Sequence, residues 1–458
     1  MVRHAACRTH TLLLGVSDVS KHKKRYDEIF DLLEKHDNWM SNTINLIASE
    51  NVSSPAVRSA IVSDFRDRYA EGWPGERVYA GCVYIDEVEK LCIEMAKDLY
   101  NAEFADVRAI SGVVANLMMY TAFMDPLDRM MALSIAHGGH ISHARSSLGG
   151  TAGAIRGHKV RTWDFDEEEF NIDVDASKKQ IRKLFDDGNE VKFLLFGGSV
   201  FLFPHPVKEF REIADEYDMK IGYDSAHVSG LLAAGKFQQP FEEGAHVVTA
   251  SSHKTLFGPQ HGYVLSRKEY ADAIKRAAFP GMLSNHHLHN VAGLAVALAE
   301  MAEFGEAYTT QVIKNAKALA QSLHDRGWDV VAEHKGFTES HIVLAEVSGT
   351  PMKNGRKVEE ELEKANIIIN RNLLPWDKKE GRDYRKPGGI RLGTSEMTRL
   401  GMKESEMDHI AELMTRVVMK GEDVEKISDE VSTFRKGFQH VHYAFDTETE
   451  AYKHLRFK

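Results

Sequence analysis

The chain has 458 residues, of which 43% are hydrophobic, enough for about two domains with extensive cores. Its formal net charge of −10 is spread over many acidic and basic residues without a basic stripe, which argues against nucleic acid as the main partner. No apolar run approaches the roughly 18 residues that a membrane span needs. We therefore expect a small-molecule function rather than one at nucleic acid or a membrane.

The cysteines indicate a reducing environment. Cys7, Cys82 and Cys92 are too few and too scattered for a disulfide scaffold or a metal cage, and they favour a cytoplasmic location. The first 20 residues contain basic residues and the short apolar run LLLGV. That run is short for a signal peptide, so a weak targeting segment is the second choice and a poorly ordered extension or an upstream start codon the first.

Short apolar runs alternate with amphipathic segments through the first two thirds of the chain. Such runs are typical of buried strands, and they occur at 129–135, 191–196, 220–223, 246–250 and 263–266. Helical patterns follow Pro206 and cover residues 290–305. This alternation predicts an α/β fold with a large, doubly wound and mostly parallel sheet.

A second α/β unit is predicted after about residue 305. Strands are expected at 340–347, 366–370 and 389–394, with helices at about 355–365 and 403–420. We therefore divide the chain into an N-terminal extension and arm (1–50), a large domain (51–305) and a small C-terminal domain (306–458).

Polar residues concentrate where the predicted strands end. His140, Asp224 and Lys254 each follow a strand, and open α/β sheets bind ligands beyond the carboxyl ends of their strands. Ser111 and Gly112 begin an apolar helix, whose free N–H groups and dipole favour an anion. Pyridoxal phosphate needs a lysine, a carboxylate at its ring nitrogen and a phosphate site, so this set predicts that cofactor.

Each residue also has a simpler interpretation. Taken alone, Lys254 is an ordinary loop lysine, and Asp224 caps a turn or helix. His140 could bind a metal together with His137 and His143, but no carboxylate or cysteine completes such a site, and we predict no metal. However, several predicted strands end in the polar residues that one cofactor needs. This coincidence favours the cofactor site over the simpler interpretations.

The chain resembles serine hydroxymethyltransferase, an aminotransferase-like pyridoxal-phosphate enzyme of fold type I, over roughly residues 25–420. The matching stretches are NLIASENVSSPAV, RYAEGWPGERVYAGCVYIDEVE, AHGGHISH, DSAHVSGLLAAG, SSHKTLFGP and GGIRLGTSEMTRLG. The combination of LIASEN, YAEGWPG and HKTLFGP is highly specific. The motifs also resemble the archaeal branch of the family.

The resemblance implies a role for each cofactor-binding residue. Lys254 would hold pyridoxal phosphate covalently, Asp224 would pair with its ring nitrogen, and His140 would stack on the ring. The other implied cofactor contacts are Ser111, Gly112, Ser199, His227, His253 and Tyr69, and Ser251 and Ser252 are expected beside the phosphate and ring.

The resemblance also implies the substrate contacts. Arg391 would bind the substrate carboxylate with its planar, bidentate guanidinium, and Ser49 would add a second contact. The structural alternative for Arg391 is a surface salt bridge of little energetic value. Tyr69, Glu71 and Tyr79 would reach the site from a neighbouring subunit, with Glu71 handling a proton on the substrate hydroxyl or the pterin. Asn372 would contact the pterin.

The implied activity is reversible transfer of the serine hydroxymethyl carbon to a reduced pterin, which leaves glycine. Lys254, Glu71, His140 and Tyr69 would be the catalytic residues, and the minimal unit would be a homodimer. Two other classes stay open at this point: a pterin-independent 3-hydroxy amino acid aldolase or related hydroxymethyl or transaldol transferase, and a non-catalytic interaction protein. The latter would not need Lys254, Asp224, His140 and Arg391 together.

Several positions depart from the family pattern. Val113 and Val114 stand in SGVVAN where the family has SGSxAN, and residues 279–287 read FPGMLSNHH where it has a glycine-rich loop. Other departures are Val78, Ile135 and Ile141, on the expected pterin wall. Ser284 and Asn285 are candidate replacements for the lost phosphate contacts. This pattern resembles the archaeal branch, in which tetrahydromethanopterin can replace tetrahydrofolate. The resemblance therefore implies tetrahydromethanopterin or tetrahydrofolate as the carbon acceptor and favours the former.

Overall fold

The structure is a computed structural model that describes residues 16–143 and 150–453. Its helices are α1 Val16–Ser41, α2 Pro55–Ile61, α3 Val83–Tyr100, α4 Gly112–Phe123, α5 Ala152–Ile155, α6 Val174–Asp186, α7 Arg211–Glu216, α8 Ser229–Ala233, α9 Ala271–Arg276, α10 Leu288–Asp325, α11 Gly355–Lys364, α12 Ser395–Arg399, α13 Glu404–Val418 and α14 Val424–Arg435. Most of the extension predicted over the first 20 residues lies outside the described residues.

The strands in chain order are β1 Ile44–Asn45, β2 Gly72–Trp73, β3 Glu76–Arg77, β4 Phe104–Asp106, β5 Arg129–Ala132, β6 Lys159–Thr162, β7 Phe165–Asp166, β8 Asn171–Ile172, β9 Phe193–Gly197, β10 Lys220–Asp224, β11 Val247–Ser251, β12 Gly262–Ser266, β13 Asp329–Val330, β14 Ile342–Glu346, β15 Ile367–Ile368, β16 Asn370–Asn372 and β17 Gly389–Gly393. The short apolar runs of the sequence thus form strands close to their predicted positions.

The large sheet has the strand order β4-β12-β11-β10-β9-β5-β6. Strands β11, β10, β9, β5 and β6 pair in parallel, whereas β12 is antiparallel to both of its neighbours. Strands β9, β11 and β12 are buried along their whole length, as expected for a sheet covered by helices on both faces. The predicted α/β fold with a mostly parallel sheet is confirmed.

The small sheet is antiparallel and has the order β13-β14-β17-β16. It packs in a separate hydrophobic cluster that includes Val343, Ile390, Leu392 and Ile410. The predicted strand at 366–370 divides into two, because β15 pairs with β1 near the N-terminus and β16 pairs with β17. A residue run that alternates between two sheets cannot be distinguished by its apolar pattern from one continuous strand.

Two helices differ from their predicted bounds. The segment after Pro206 forms a 3₁₀ turn at Lys208–Phe210 before α7 begins. Helix α10 continues to Asp325 and so passes through the proposed domain boundary at 305/306. It contacts α2 and α3 on one side of that boundary and α13 on the other. The division at 50/51 and 305/306 stays a prediction.

Candidate active site

A cavity of about 330 Å³ opens beside the carboxyl ends of β9, β10 and β11. The residues that line it come from the large sheet, the start of α4, the segment after β1 and the small sheet. They are Ser49, Ser111, Gly112, Val113, Asn116, His140, Gly198, Ser199, Asp224, Ala226, His227, Ser251, His253, Lys254 and Arg391. The cavity therefore collects residues that are up to about 340 positions apart in the sequence.

Strand register explains how the polar strand ends meet. Asp224 at the end of β10 pairs with Gly197 of β9 and Thr249 of β11. Gly197 has φ of +94°, and a Cβ there would lie 2.2 Å from the Asp224 carbonyl oxygen, so this position requires glycine. Lys254 follows β11 by three residues, which brings it to the same edge of the sheet.

Lys254 is a buried amine, with only 8% of its surface exposed. Burial lowers its pKa from 10.5 to about 8; the Asp224 carboxylate opposes this shift and Arg391 adds to it. A lysine with this pKa is partly neutral near physiological pH, and the neutral amine is the nucleophilic form. The lysine is therefore suited to covalent chemistry with a carbonyl group.

Asp224 is held as a carboxylate by a network of donors. Its Oδ2 lies 2.8 Å from His143 Nε2 and accepts a hydrogen bond of 2.8 Å from Asn116 Nδ2, and its Oδ1 accepts from the Ala226 N–H at 3.0 Å. Burial alone raises the pKa of Asp224, but the His143 hydrogen bond and charge outweigh it and hold that pKa well below its ordinary value. The group thus offers a fixed negative charge inside the cavity.

His140 presents a neutral imidazole to the cavity. Burial lowers its pKa from 6.5 to about 4, and His143 lowers it further. Its Nδ1 lies 2.7 Å from Ser142 Oγ, which in turn accepts from Asn116 Nδ2 at 2.8 Å. The ring of His140 is therefore oriented by the same network that holds Asp224.

The start of α4 provides a candidate anion site. The Ser111 hydroxyl caps the helix by accepting from the Val114 N–H at 3.3 Å. Gly112 approaches Ser251 so closely that a Cβ would lie 2.2 Å from Ser251 Oγ. Glycine therefore lets the start of α4 lie against Ser251, and the Ser111 and Ser251 side chains line the same cavity as Gly112 and Val113, an arrangement suited to a small anion.

Arg391, on β17, brings a cation from the small sheet into this cavity. Its Nη1 donates to the Ser199 carbonyl at 2.8 Å and its Nε to Asn370 Oδ1 at 3.2 Å. It has no carboxylate partner among the described residues, and burial lowers its pKa to about 10. A buried guanidinium with no acidic partner in residues 16–143 and 150–453, in a cavity that Ser49 also lines, is suited to a carboxylate ligand.

Two further histidines lie at the cavity. Burial lowers the pKa of His227 well below its ordinary value and that of His253 to about 3, so both rings are neutral. The Nδ1 atoms of both are buried without a hydrogen-bond partner among the described residues. The His227 ring stacks on His341, at a centroid distance of 5.7 Å.

Five predicted site residues do not occur among the described residues that line the cavity: Tyr69, Glu71, Tyr79, Ser252 and Asn372. The buried Ser252 hydroxyl donates to the Pro259 carbonyl instead. Tyr69 and Tyr79 are 44% and 46% exposed, and their rings contact each other at 4.8 Å. Tyr69 Oη donates to Glu71 Oε1 at 3.1 Å. Tyr69, Glu71 and Tyr79 thus form a separate group in which the two tyrosines are exposed and Glu71 is half-buried, whereas Asn372 lies half-buried on β16.

The altered segment at 279–287 contacts that group. Ser284 Oγ lies 3.2 Å from Tyr69 Oη, and Asn285 Oδ1 accepts from the Ala70 N–H at 2.9 Å. Of the other departures, Val113 lines the cavity. Val78 and Ile141 are 68% and 45% exposed.

Sequence reasoning missed three residues that organise the site. Asn116 bridges Asp224 and Ser142, and Asn370 supports Arg391. His143 was considered only as a metal ligand, yet its Nε2 contacts Asp224. An asparagine one turn into an apolar helix, as in SGVVAN, is the signal that could have indicated Asn116. For Asn370 no local signal exists, since its partner is 21 residues away on the next strand.

The part of the chain that the structure describes has neither a membrane-spanning helix nor a metal-binding cluster. No helix among residues 16–143 and 150–453 is long and apolar enough to cross a membrane. No cluster of three or more histidine, cysteine or acidic side chains in those ranges has an arrangement that could hold a metal ion.

A buried lysine, a fixed carboxylate and an anion site at the carboxyl edge of a mostly parallel sheet define the fold-type I class of pyridoxal-phosphate enzymes. Comparison with known proteins specifies the class further. The family model for serine hydroxymethyltransferase matches residues 23–414. The chain is therefore a member of the serine hydroxymethyltransferase family, which transfers the hydroxymethyl carbon of serine reversibly to a reduced pterin and forms glycine.

Curated relatives support the same placement along the whole chain. A serine hydroxymethyltransferase of Nitrosopumilus maritimus is 53% identical over 96% of this chain and 99% of its own length. A serine hydroxymethyltransferase of Korarchaeum cryptofilum is 55% identical over 94% of this chain and 99% of its own length. A serine hydroxymethyltransferase of Methanocaldococcus jannaschii is 53% identical over 94% of this chain and 98% of its own length. The relatives are archaeal, as the motifs suggested.

Proposed function

We propose that the cavity at Lys254 binds pyridoxal phosphate and is the place where the family's reaction occurs in this chain. The observation that carries the proposal is that three chemically distinct side chains meet in one cavity. A buried amine with a lowered pKa, a carboxylate held ionised and a guanidinium that has no carboxylate partner in the described part of the chain line one cavity. A small sheet that contributed only to stability would not need an unpaired cation at this place.

The residues present fit this cofactor. Gly112 leaves room for a phosphate against Ser111 and Ser251, where a Cβ would clash. The partnerless Nδ1 atoms of His227 and His253 offer polar contacts to a bound group. Ser199 lines the same cavity. Bound pyridoxal phosphate supplies an electron sink for the cleavage of a bond at the substrate α-carbon.

The chain's own residues then have distinct tasks. Lys254 holds the cofactor and, as an amine with a pKa of about 8, accepts or donates a proton near neutral pH. Asp224 keeps its negative charge and would favour a proton on the cofactor's ring nitrogen. The neutral His140 would contact the cofactor ring without adding a positive charge.

Arg391 and Ser49 bind the substrate carboxylate. The guanidinium is already oriented by Ser199 and Asn370, so little conformational entropy is lost when the carboxylate binds. Burial strengthens the pair because water does not compete for the charges. The carboxylate thereby fixes the amino acid relative to Lys254.

Tyr69, Glu71 and Tyr79 act at the cavity of a partner subunit in a homodimer. The exposure of both tyrosines and the position of all three residues outside the lining of their own cavity support this assignment. Glu71 transfers a proton at the substrate hydroxyl or the pterin, and the Tyr69 hydroxyl, which bonds Glu71, orients it. Ser284 and Asn285 hold this group in place.

The carbon acceptor is a reduced pterin, and we assign tetrahydromethanopterin rather than tetrahydrofolate. The support is the loss of family side chains at Val78, Ile135 and Ile141, together with the archaeal relatives. Asn372 contacts the pterin. Turnover of serine to glycine with each of the two pterins tests the assignment; a clear preference for tetrahydrofolate would contradict it.

The experiment for the central proposal compares two lysine variants. We expect wild-type protein mixed with pyridoxal phosphate to absorb violet light and to release glycine from serine. Lys254→Ala should lose both properties, because the amine that holds the cofactor is absent. The exposed Lys192→Ala is the matched control and should keep both. Full turnover by the Lys254 variant would refute the assignment.

A further inference from the structure

Asn51 connects two parts of the molecule through its side-chain amide. Its Nδ2 donates to the Lys254 carbonyl at 2.7 Å and to Tyr308 Oη at 2.8 Å. Its Oδ1 accepts from the Val52 N–H at 2.9 Å, which fixes the orientation of the amide. Both Asn51 Nδ2 and Asn51 Oδ1 therefore have specific partners.

Tyr308 extends this connection to the small domain. It is fully buried in α10, and its hydroxyl donates to the Ser395 carbonyl at 3.1 Å. Its ring packs against Phe257 at a centroid distance of 5.1 Å. Phe257 has φ of +54° and its N–H donates to the Lys254 carbonyl at 3.1 Å, so it closes the turn that carries the lysine.

These contacts join the three segments that carry the functional groups of the cavity. Ser49 lies two residues before Asn51, and Arg391 lies four residues before Ser395. The Lys254 carbonyl itself accepts from Asn51. Neither Asn51 nor Tyr308 occurs among the described residues that line the cavity. Their effect on the cavity is therefore transmitted through the backbone.

We propose that Asn51 and Tyr308 are positioning residues that fix the distance between the carboxylate clamp, Ser49 and Arg391, and the amine of Lys254. The inference rests on the proposed function of the cavity. An amino acid bound there must place its carboxylate at the clamp and its amino group at the position of the lysine amine. The carboxylate and the amino group of the substrate reach these two positions together only if the segments that carry Ser49, Lys254 and Arg391 keep their relative positions.

The physical basis is that two carbonyl groups accept hydrogen bonds from this pair. Removing the Tyr308 hydroxyl takes away the side-chain donor to the Ser395 carbonyl at the start of α12, and removing the Asn51 amide deprives the Lys254 carbonyl of one of two donors. Each loss removes a contact between segments, so the relative positions of the segments are less tightly fixed. The anion site at Ser111 and the Asp224 network contact neither residue and should keep the cofactor bound.

The test uses the cofactor-loaded protein and titrates glycine while the violet absorbance is followed. We expect Tyr308→Phe to weaken glycine binding and raise the KM for serine about tenfold, with kcat changed much less and cofactor content unchanged. Asn51→Asp should have the same effect, since it still accepts from the Val52 N–H but cannot donate to the Lys254 carbonyl.

The matched control is Tyr100→Phe. Tyr100 is also a buried tyrosine of the large domain, and its hydroxyl bonds the Ser229 carbonyl at 2.9 Å and Tyr263 Oη at 2.5 Å, away from the cavity. We expect it to lower Tm about as much as Tyr308→Phe while glycine affinity stays at the wild-type value.

Two outcomes would overturn the inference. One is equal glycine affinity in Tyr308→Phe and Tyr100→Phe, which would make the hydroxyl merely structural. The other is wild-type glycine affinity in Asn51→Asp, a half-buried substitution that serves if Tyr308→Phe fails to fold. Failure of the proposed function looks different, because wild-type protein would then give no absorbance with pyridoxal phosphate.

Discussion

Lys254 has the acid–base properties of a reactive amine because three effects act on one nitrogen. Burial disfavours its charged form, the Asp224 carboxylate favours it, and Arg391 disfavours it again. The net result is a pKa of about 8 instead of 10.5. Raising the pH from 7 to 9 therefore converts the lysine from mostly protonated to mostly neutral.

This shift predicts the pH dependence of cofactor capture. We expect cofactor-free protein to bind pyridoxal phosphate covalently at a rate that rises with pH and levels off above a midpoint near 8. Stopped-flow absorbance over pH 6–11 measures it. Lys254→Arg is the control and should show no covalent phase. A midpoint close to 10.5 would mean that the amine is not desolvated.

His143 acts on the cofactor site through Asp224. We expect His143→Ala to raise the pKa of Asp224, because burial then acts with less opposition. Turnover should fall roughly 10- to 100-fold, the range of a hydrogen bond to a charged group. The control is His137→Ala, whose ring stacks on Phe165 at 4.6 Å instead of contacting Asp224. Equal activity of the two variants would argue against this role.

At the scale of elements, a buried carboxyl group joins the N-terminal arm to the C-terminal tail. Glu396, on α12, accepts from Asn45 Nδ2 at 2.9 Å and bonds the Tyr452 hydroxyl. Glu50 shares the same asparagine amide at 2.8 Å, and Arg435 is the nearby cation. Burial raises the pKa of Glu396 to about 7, with a smaller contribution from Glu50.

The raised pKa predicts how stability depends on pH. Between pH 4.5 and 7 the folded protein keeps a proton on Glu396 that the unfolded chain has lost, so stability falls as the pH rises through this range. The loss is of the order of 3 kcal/mol. Glu396→Gln, which cannot ionise, should remove it. Thermal unfolding of both proteins at pH 4.5 and 7 measures the difference; identical pH profiles would contradict the prediction.

The elements that sequence predicted well are those with local signals. Apolar runs located β9, β10, β11 and β12 to within two residues, and the polar residues after them identified Lys254, Asp224 and His140 as one group. Asn45 and Glu396 could not be paired in this way, because they are 351 residues apart and the bond depends on the packing of α12 against β1. For the same reason the link from Asn51 to Lys254 has no sequence signature.

The group formed by Tyr69, Glu71 and Tyr79 does not line the cavity of its own chain. The resemblance implies that it reaches the cavity from a neighbouring subunit, and among the described residues of a single chain it lies outside the cavity lining, with Tyr69 and Tyr79 exposed and Glu71 half-buried. Val78, Val83 and Tyr84 beside it are 68%, 70% and 80% exposed, an apolar surface that a second copy would cover. The homodimer and the cytoplasmic location stay predictions.

Subunit complementation distinguishes a shared site from a single-chain site. If Glu71 serves the partner's cavity, a mixed dimer of one Lys254→Ala chain and one Glu71→Gln chain has one intact site. Random mixing after denaturation and refolding should then restore about a quarter of wild-type activity from two inactive parents. If Glu71 serves its own cavity, each site of the mixed dimer carries one defect, and no activity returns.

The control for this experiment mixes Lys254→Ala with Arg391→Ala. Both residues line the cavity of the same chain, so every site of a mixed dimer keeps one defect and activity should not recover. Recovery in the Glu71 mixture together with its absence in the Arg391 mixture can arise only when the two chains exchange Glu71 across an interface. Absence in both would place the proton transfer within one chain, and the group formed by Tyr69, Glu71 and Tyr79 would then need to move toward Lys254 for catalysis.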